Sequence, residues 1–343
     1  MVTQILLIIL FIICGVLLLY PLKIERLNKI LLITIYVVVI SLVICRPRVM
    51  ADYNNYEIAF EGLDDLRFEP SFNLIRMLAS LLGNTVFWGF VIYALMSVSM
   101  RILYISKFEG LTWGMLMVYF SNILVAQDMI AIRAAVASSL LLYTVDCYVK
   151  QEKLKTFCLL LCAVLFHYSA AFFFILFIIS SEKVHRLFYL SILFVCHVLA
   201  YKNLHLNQFF EILNFIDAMD TLNNIYMDNP ELNVFNLLHI GHIAICCFFW
   251  TFVQRIQKYD ERALTFLKLY TIGLCAIPLF AEMIAVSLRL SEMFLSVEII
   301  LVPIGFFAIF ENKIVSRLLI LSYSIVIFYF TITNLQYWNP DLY

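Results

Sequence analysis

Residues 154–181 read LKTFCLLLCAVLFHYSAAFFFILFIISS, and how this stretch divides decides the fold. It is apolar almost throughout, with a polar interruption at His167-Tyr168-Ser169. A helix that crosses a bilayer needs roughly 20 apolar residues. The stretch is too long for one crossing, and each half, at about 13 residues and ~20 Å of helix, is short for a full one. Two short helices meeting near one face of the membrane satisfy both lengths. Broken helices at membrane depth are tolerated where they line a cavity or are buried in protein. The break therefore predicts both a membrane fold and the neighbourhood of its site.

The rest of the chain agrees. Of 343 residues, 64% are hydrophobic and 14% charged, and the mean hydropathy is +0.96. A water-soluble fold could not hide that much apolar surface, so lipid must be the solvent for most of it. The apolar runs are 4–21, 28–45, 84–106, 110–127, 129–149, 154–167, 168–181, 186–201, 236–254, 264–285, 289–310 and 316–335. They predict an all-α polytopic protein of about 12 transmembrane helices with short interfacial helices. There is no linker or internal repeat, so 1–343 reads as a single transmembrane domain with outer-face loops 46–83 and 202–235. The first run lacks a basic leader and a small-residue cleavage site, and reads as a retained helix.

Basic residues orient the bundle. Lys23, Arg26, Lys29, Arg101, Lys107, Lys150, Lys153, Lys155, Lys183, Arg186, Arg255, Lys258, Arg262, Lys313 and Arg317 follow alternate runs, which places those loops in the cytoplasm. This alternation holds only if 154–181 crosses twice. The opposite loops are acidic, with Asp52, Glu57, Glu61, Asp64, Asp65 and Glu69 in one and Glu211, Asp217, Asp220, Asp228 and Glu231 in another. Both termini then lie outside the cytoplasm. Residues 71–83 are too short to span and fit an interfacial or re-entrant helix. Asn207 to Asn224 has the spacing of an amphipathic surface helix.

Against this pattern, Arg46, Arg48, Arg67, Arg76, Arg133 and Arg289 fall on the outer side, several at helix ends. A charge within an apolar segment costs about 2.5–3.5 kcal/mol on insertion scales and is a functional candidate by default. The planar guanidinium suits bidentate binding of phosphate oxygens. Arginines from separate helices at one depth point to an anion site such as a lipid diphosphate. The plainer alternative pairs Arg133 with Asp128, and Arg289 with Glu292 or Glu282. His167 at the helix break could contact phosphate or move a proton. Asp52-Tyr53-Asn54-Asn55-Tyr56 reads as a loop whose carboxylate, amide and aromatic groups suit sugars. His239 and His242 lie one turn apart without an evident third ligand, and the nine cysteines fall mostly in or at the ends of apolar runs, where they read as packing. The chain has no phosphate-binding Gly-rich loop, dinucleotide fingerprint, zinc-protease motif or nucleophile elbow, so no cofactor, metal or nucleic acid is expected.

In order along the chain come Arg48 before Asp52-Tyr53-Asn54-Asn55-Tyr56, Glu69-Pro70-Ser71-Phe72, Ile132-Arg133-Ala134-Ala135-Val136-Ala137, Phe166-His167-Tyr168-Ser169-Ala170, and Arg289-Leu290-Ser291-Glu292-Met293-Phe294 leading to Pro303. In this the chain resembles the EpsG-type branch of the Wzy polysaccharide (O-antigen) polymerases, over about residues 46–303. Ala134 stands where the family often has Gln, and Ala51 where it usually has Gly. The resemblance implies a GT-C-like glycosyltransferase of the bacterial inner membrane. It would join undecaprenyl-diphosphate-linked oligosaccharide repeat units at the periplasmic face and release undecaprenyl diphosphate. A chain-length regulator and a flippase of the same pathway would be its partners. Arg133 and Arg289 would stabilise the leaving diphosphate without a metal, with Arg48 as a third candidate. Asp52, Glu69 and His167 are candidate bases; Tyr53, Tyr56, Tyr168 and Arg76 would contact substrate. An O-antigen ligase, or a flippase or transporter using Glu282, Glu292 and Glu298, are the competing readings.

Overall fold

Apolar runs with no water to satisfy their backbone close their hydrogen bonds within each segment, so they become helices. In the computed structural model, which describes residues 2–22, 24–62, 69–204, 233–334 and 338, no strand occurs among the described residues. Among the described residues, five helices are long and apolar enough to cross a membrane. They are α1 (Val2–Leu19), α2 (Glu25–Ile44), α5 (Thr85–Ile105), α7 (Ile132–Val149) and α15 (Lys313–Thr333). The shorter helices are α3 (Tyr53–Glu61), α4 (Pro70–Leu81), α6 (Thr112–Val118), α8 (Lys153–Phe166), α9 (Arg186–Tyr201) and α12 (Ala263–Leu279). Two helix pairs are bent, each forming a broken span or a re-entrant loop: α10 (Leu237–Thr251) meets α11 (Val253–Tyr259) at 78°, and α13 (Ile284–Leu295) meets α14 (Glu298–Ile309) at 45°. Among the described residues the count is up to 7 if each bent pair is one span, by length and composition, against the 12 runs expected from the sequence. The protein is an all-α membrane protein. The surface helix expected over Asn207–Asn224 lies outside the described residues, as do Arg67, Asp64 and Asp65.

The divided stretch is divided as its polarity requires. α8 ends at Phe166, His167 is fully extended (φ −155°, ψ 118°), and Tyr168–Phe177 continues as a 3-10 helix. α6 runs on as a π-helix, Tyr119–Ile130, until Ala131 breaks it and α7 begins. Widened π-turns often mark functional segments. α7 packs against α5, α8, the 3-10 helix and α13, so it sits at the centre of the region that carries the candidate residues.

Two glycines allow the close approaches that place this region. A Cβ on Gly89 of α5 would lie 2.5 Å from the Phe60 ring, so α3 rests directly on the α5 backbone. A Cβ on Gly273 of α12 would lie 2.7 Å from Phe294 Cβ, which fixes how near α13 comes. Phe60 in turn stacks on Phe72 of α4, centroids 4.8 Å apart.

Candidate functional site

Asp52-Tyr53-Asn54-Asn55-Tyr56 is not a loop: Tyr53 opens α3. Asp52 precedes it in the left-handed region at φ 62°. Asp and Asn enter this region more readily than other non-glycine residues, and Ala51, where the family usually has Gly, does not have a positive φ. Glu69 is the N-cap of α4, extended at φ −60° and ψ 151°, with Pro70 at the first helical position. Proline is pre-shaped for that position and lacks only an N–H that would go unbonded.

These helix starts deliver two carboxylates to two arginines. Glu69, 2% exposed, forms an ion pair with Arg133 in the first turn of α7. Its other oxygen lies 3.1 Å from His167 Nδ1 and 3.4 Å from the Tyr168 backbone N–H. Burial opposes ionisation of Glu69, but the His167 hydrogen bond and the Arg133 charge outweigh it and hold the carboxyl down at about 2. An ionised Glu69 can only accept, so Nδ1 carries the proton and the neutral ring keeps its lone pair on Nε2. Nε2 is buried and has no hydrogen-bond partner among the described residues. The Arg133 guanidinium lies over the rings of Tyr56, at 5.7 Å, and Phe72, at 6.0 Å.

In the second pair, Arg289 of α13 meets Asp52, and Glu292 lies 3.7 Å from the same guanidinium. The charges of both Arg133 and Arg289 act on His167. The arginine and aspartate side chains are 29% and 22% exposed, and Arg133 is 22% exposed. Arg133, Arg289, His167, Asp52 and Glu69 are thus gathered from five separate stretches of chain. The alternative pairing of Arg133 with Asp128 does not occur, since Asp128 is taken by Arg101. That of Arg289 with Glu292 occurs, behind Asp52.

The other candidates are arranged less centrally. Arg48 is 76% exposed and lies 3.3 Å from Glu57. Arg76 reaches the Ala59 carbonyl at 3.5 Å. Arg46 is 5% exposed and points inward, donating to the Val43 and Met129 carbonyls at 2.9 and 2.8 Å and lying over Phe90 at 4.2 Å. Tyr56 is buried beneath Arg133, so it supports that side chain rather than offering an open face, and Tyr53 packs on Phe90. Tyr168 remains exposed.

One group escaped sequence reasoning. Arg101, expected in a cytoplasmic loop, is fully buried within α5 and paired with Asp128. It sits four residues before the helix ends, and only the carboxylate at Asp128, between two later apolar runs, hinted that it would be drawn in. Glu292 and Glu298, the acids invoked for transport, line a cavity of about 30 Å³ together with Gln127, Asn122 and His242. That is room for about one water. Glu298 accepts from Tyr323 at 2.8 Å, and His242 and Tyr270 are 2.8 Å apart. His239 faces His197, with Nε2 atoms 3.0 Å apart. Glu282 is exposed.

What the paired arginines can do follows from their partners. A guanidinium held by a carboxylate is pre-aimed, partly open and able to exchange one oxyanion for another. A family model described as the EpsG family matches residues 29–341. No curated protein and no solved structure matches the chain.

Proposed function

Since the chain belongs to the EpsG family, we propose that it is a membrane glycosyltransferase of the polysaccharide-polymerase kind. Its substrates are undecaprenyl-diphosphate-linked oligosaccharides, and it acts at the periplasmic face of the bacterial inner membrane. The observation that carries this reading is the convergence of Arg133 and Arg289, each held by a carboxylate, around His167.

In the proposed reaction, a hydroxyl oxygen of the acceptor repeat attacks the anomeric carbon of the lipid-linked chain. The bond from that carbon to the diphosphate oxygen breaks, and its electron pair stays on the diphosphate. Negative charge therefore grows on the leaving group, and fixed guanidinium groups stabilise it more in the transition state than before. Arg133 and Arg289 supply that charge once phosphate oxygens replace Glu69 Oε2 on Arg133 and Asp52 on Arg289, while Glu69 Oε1 stays on His167. The acceptor proton goes to His167 Nε2, whose lone pair is freed for the task because Glu69 holds the proton on Nδ1. Glu69 thus orients a base rather than acting as one. Fixed arginine charge would do here what a divalent metal does in many sugar-nucleotide transferases.

The test is a gel of the surface polysaccharide from a host lacking the gene, complemented with wild type, Arg133→Ala or Arg289→Ala. The expected result is a ladder restored by wild type and reduced to single repeats by either variant, with membrane insertion unchanged. A full ladder from either variant overturns the assignment. A ladder that persists without the gene removes the polymerase reading for that polysaccharide.

A further inference from the structure

The two arginines sit on different helices, α7 and α13, and their separation must be set by something other than their own carboxylates. The buried network behind them links both helices. Arg101 donates to Asp128 and Gln127 of the π-helix, to the Ala135 carbonyl at 3.2 Å and to the Ser138 hydroxyl at 2.6 Å. The Tyr119 hydroxyl donates to Asp128 at 2.9 Å. Gln127, 1% exposed, uses both ends of its amide. Oε1 accepts from Arg101 and, at 2.6 Å, from Ser138, which follows Arg133 on α7. Nε2 donates at 2.7 Å to the Glu292 carbonyl, one turn after Arg289 on α13.

That last bond is lateral. The Glu292 carbonyl already accepts from the Ser296 N–H at 3.1 Å, so α13 needs no help from Gln127 to close its own last turn. What the amide adds is location: it holds the end of α13 against the π-helix just before the 45° bend into α14. The amide cannot be reversed without facing its NH₂ to Arg101 and its oxygen to a carbonyl, so the linkage has one register.

We infer that Gln127 is a positioning residue that fixes α13, and with it Arg289, relative to α7 and Arg133. Its hydrogen bonds go to Arg101, Ser138 and the Glu292 carbonyl. The inference rests on the proposed role of those arginines at a diphosphate. A misplacement of about 1 Å can cost on the order of 100-fold in rate, so a single lateral hydrogen bond is enough to matter.

The test uses the purified full-length protein with Gln127→Met, which keeps length but removes donor and acceptor. Gln127→Glu serves as a second variant, keeping the acceptor for Arg101 and Ser138 while turning an acceptor oxygen toward the Glu292 carbonyl and adding a charge beside the Arg101–Asp128 pair. Phenylglyoxal modification of each arginine is followed by mass spectrometry, and polymer formation from a lipid-diphosphate-linked oligosaccharide is followed in parallel. Expected in whichever variant retains a wild-type thermal midpoint is several-fold faster modification of Arg289 with Arg133 unchanged, and polymer formation lowered about 10- to 100-fold. Arg289→Lys then adds little on top of the Gln127 variant, whereas Arg133→Lys contributes its full factor, because only coupled sites depart from additivity. A purely structural role would leave the two arginines equally affected. Unchanged Arg289 modification together with additive factors overturns the inference. A wild-type protein that makes no polymer overturns the polymerase reading instead, while the modification rates still decide the role of Gln127.

Discussion

Arg101 with Asp128 and Arg133 with Glu69 are the same chemical pair in two settings. Both side chains of the first are 0% exposed, and the guanidinium is shared among the π-helix and α7. In the second the carboxylate is buried at 3% exposure but the arginine is open at 22%, and the carboxylate also engages His167. Arg289 with Asp52 is open on both sides. A sealed pair can only hold helices together, because no ligand can reach it. A pair open on its cationic side can also exchange partners. In these three pairs it is the exposure of the cation, rather than the presence of a salt bridge, that would admit a ligand.

The contrast breaks most visibly if the sealed pair is damaged. Asp128→Asn leaves the Arg101 charge buried without its counter-ion, which should cost about 3–5 kcal/mol. The expected outcome is little folded protein in the membrane fraction, with partial recovery in the double variant Arg101→Met, Asp128→Asn. Wild-type yield and thermal midpoint in Asp128→Asn alone would show that the sealed pair holds nothing. Glu69→Gln should act differently, on the acid limb of stability. Because folding lowers the Glu69 carboxyl from its ordinary value of 4.5 to about 2, its contribution is complete above the unfolded value and is lost as pH falls toward the folded one. That contribution is on the order of 3 kcal/mol. Unfolding midpoints measured from pH 7 down to pH 3 should fall more steeply in wild type than in Glu69→Gln, and parallel curves would refute the pairing energy. Gly89→Ala pushes a methyl into Phe60 and should cost about 1–3 kcal/mol by displacing α3. Since α3 carries the turn that aims Asp52, polymer formation should fall beyond what the loss of folded protein explains. At the small end, Arg48→Ala removes a pair whose arginine is exposed, and no measurable change in thermal midpoint is expected. If polymer length nonetheless changes, Arg48 contacts substrate.

How much of this was readable beforehand depended on distance along the chain. Helices came from the apolar runs, and the break at His167 came from three polar residues within one of them. The clustering of Arg133, His167, Arg289, Asp52 and Glu69 followed from their common depth. Which carboxylate meets which arginine did not, because the Glu69 and Asp52 partners are remote in sequence while Asp128 and Glu292 are near. Proximity along the chain favoured the wrong partner for Arg133. Arg101 was misread for a related reason: a cation near a helix end looks like an orienting loop residue until an acid on another helix draws it inward. The helix at Tyr53–Glu61 was hidden by residues typical of turns, whose polar side chains compete with the backbone in isolation but are outweighed here by the packing of Tyr56 and Phe60 on α5.

The carboxylates of Glu69 and Asp52 have a consequence for pharmacology. Each is a competitor tethered beside its arginine, present at the high effective concentration that a covalent link provides. On the proposed reading, a soluble dianion that seeks Arg133 competes with Glu69, so diphosphate mimics should score as weaker inhibitors than their fit alone would give. Screening against a variant with the tether neutralised would uncover that hidden affinity, and a useful compound would need to carry its own replacement partner for the displaced acid.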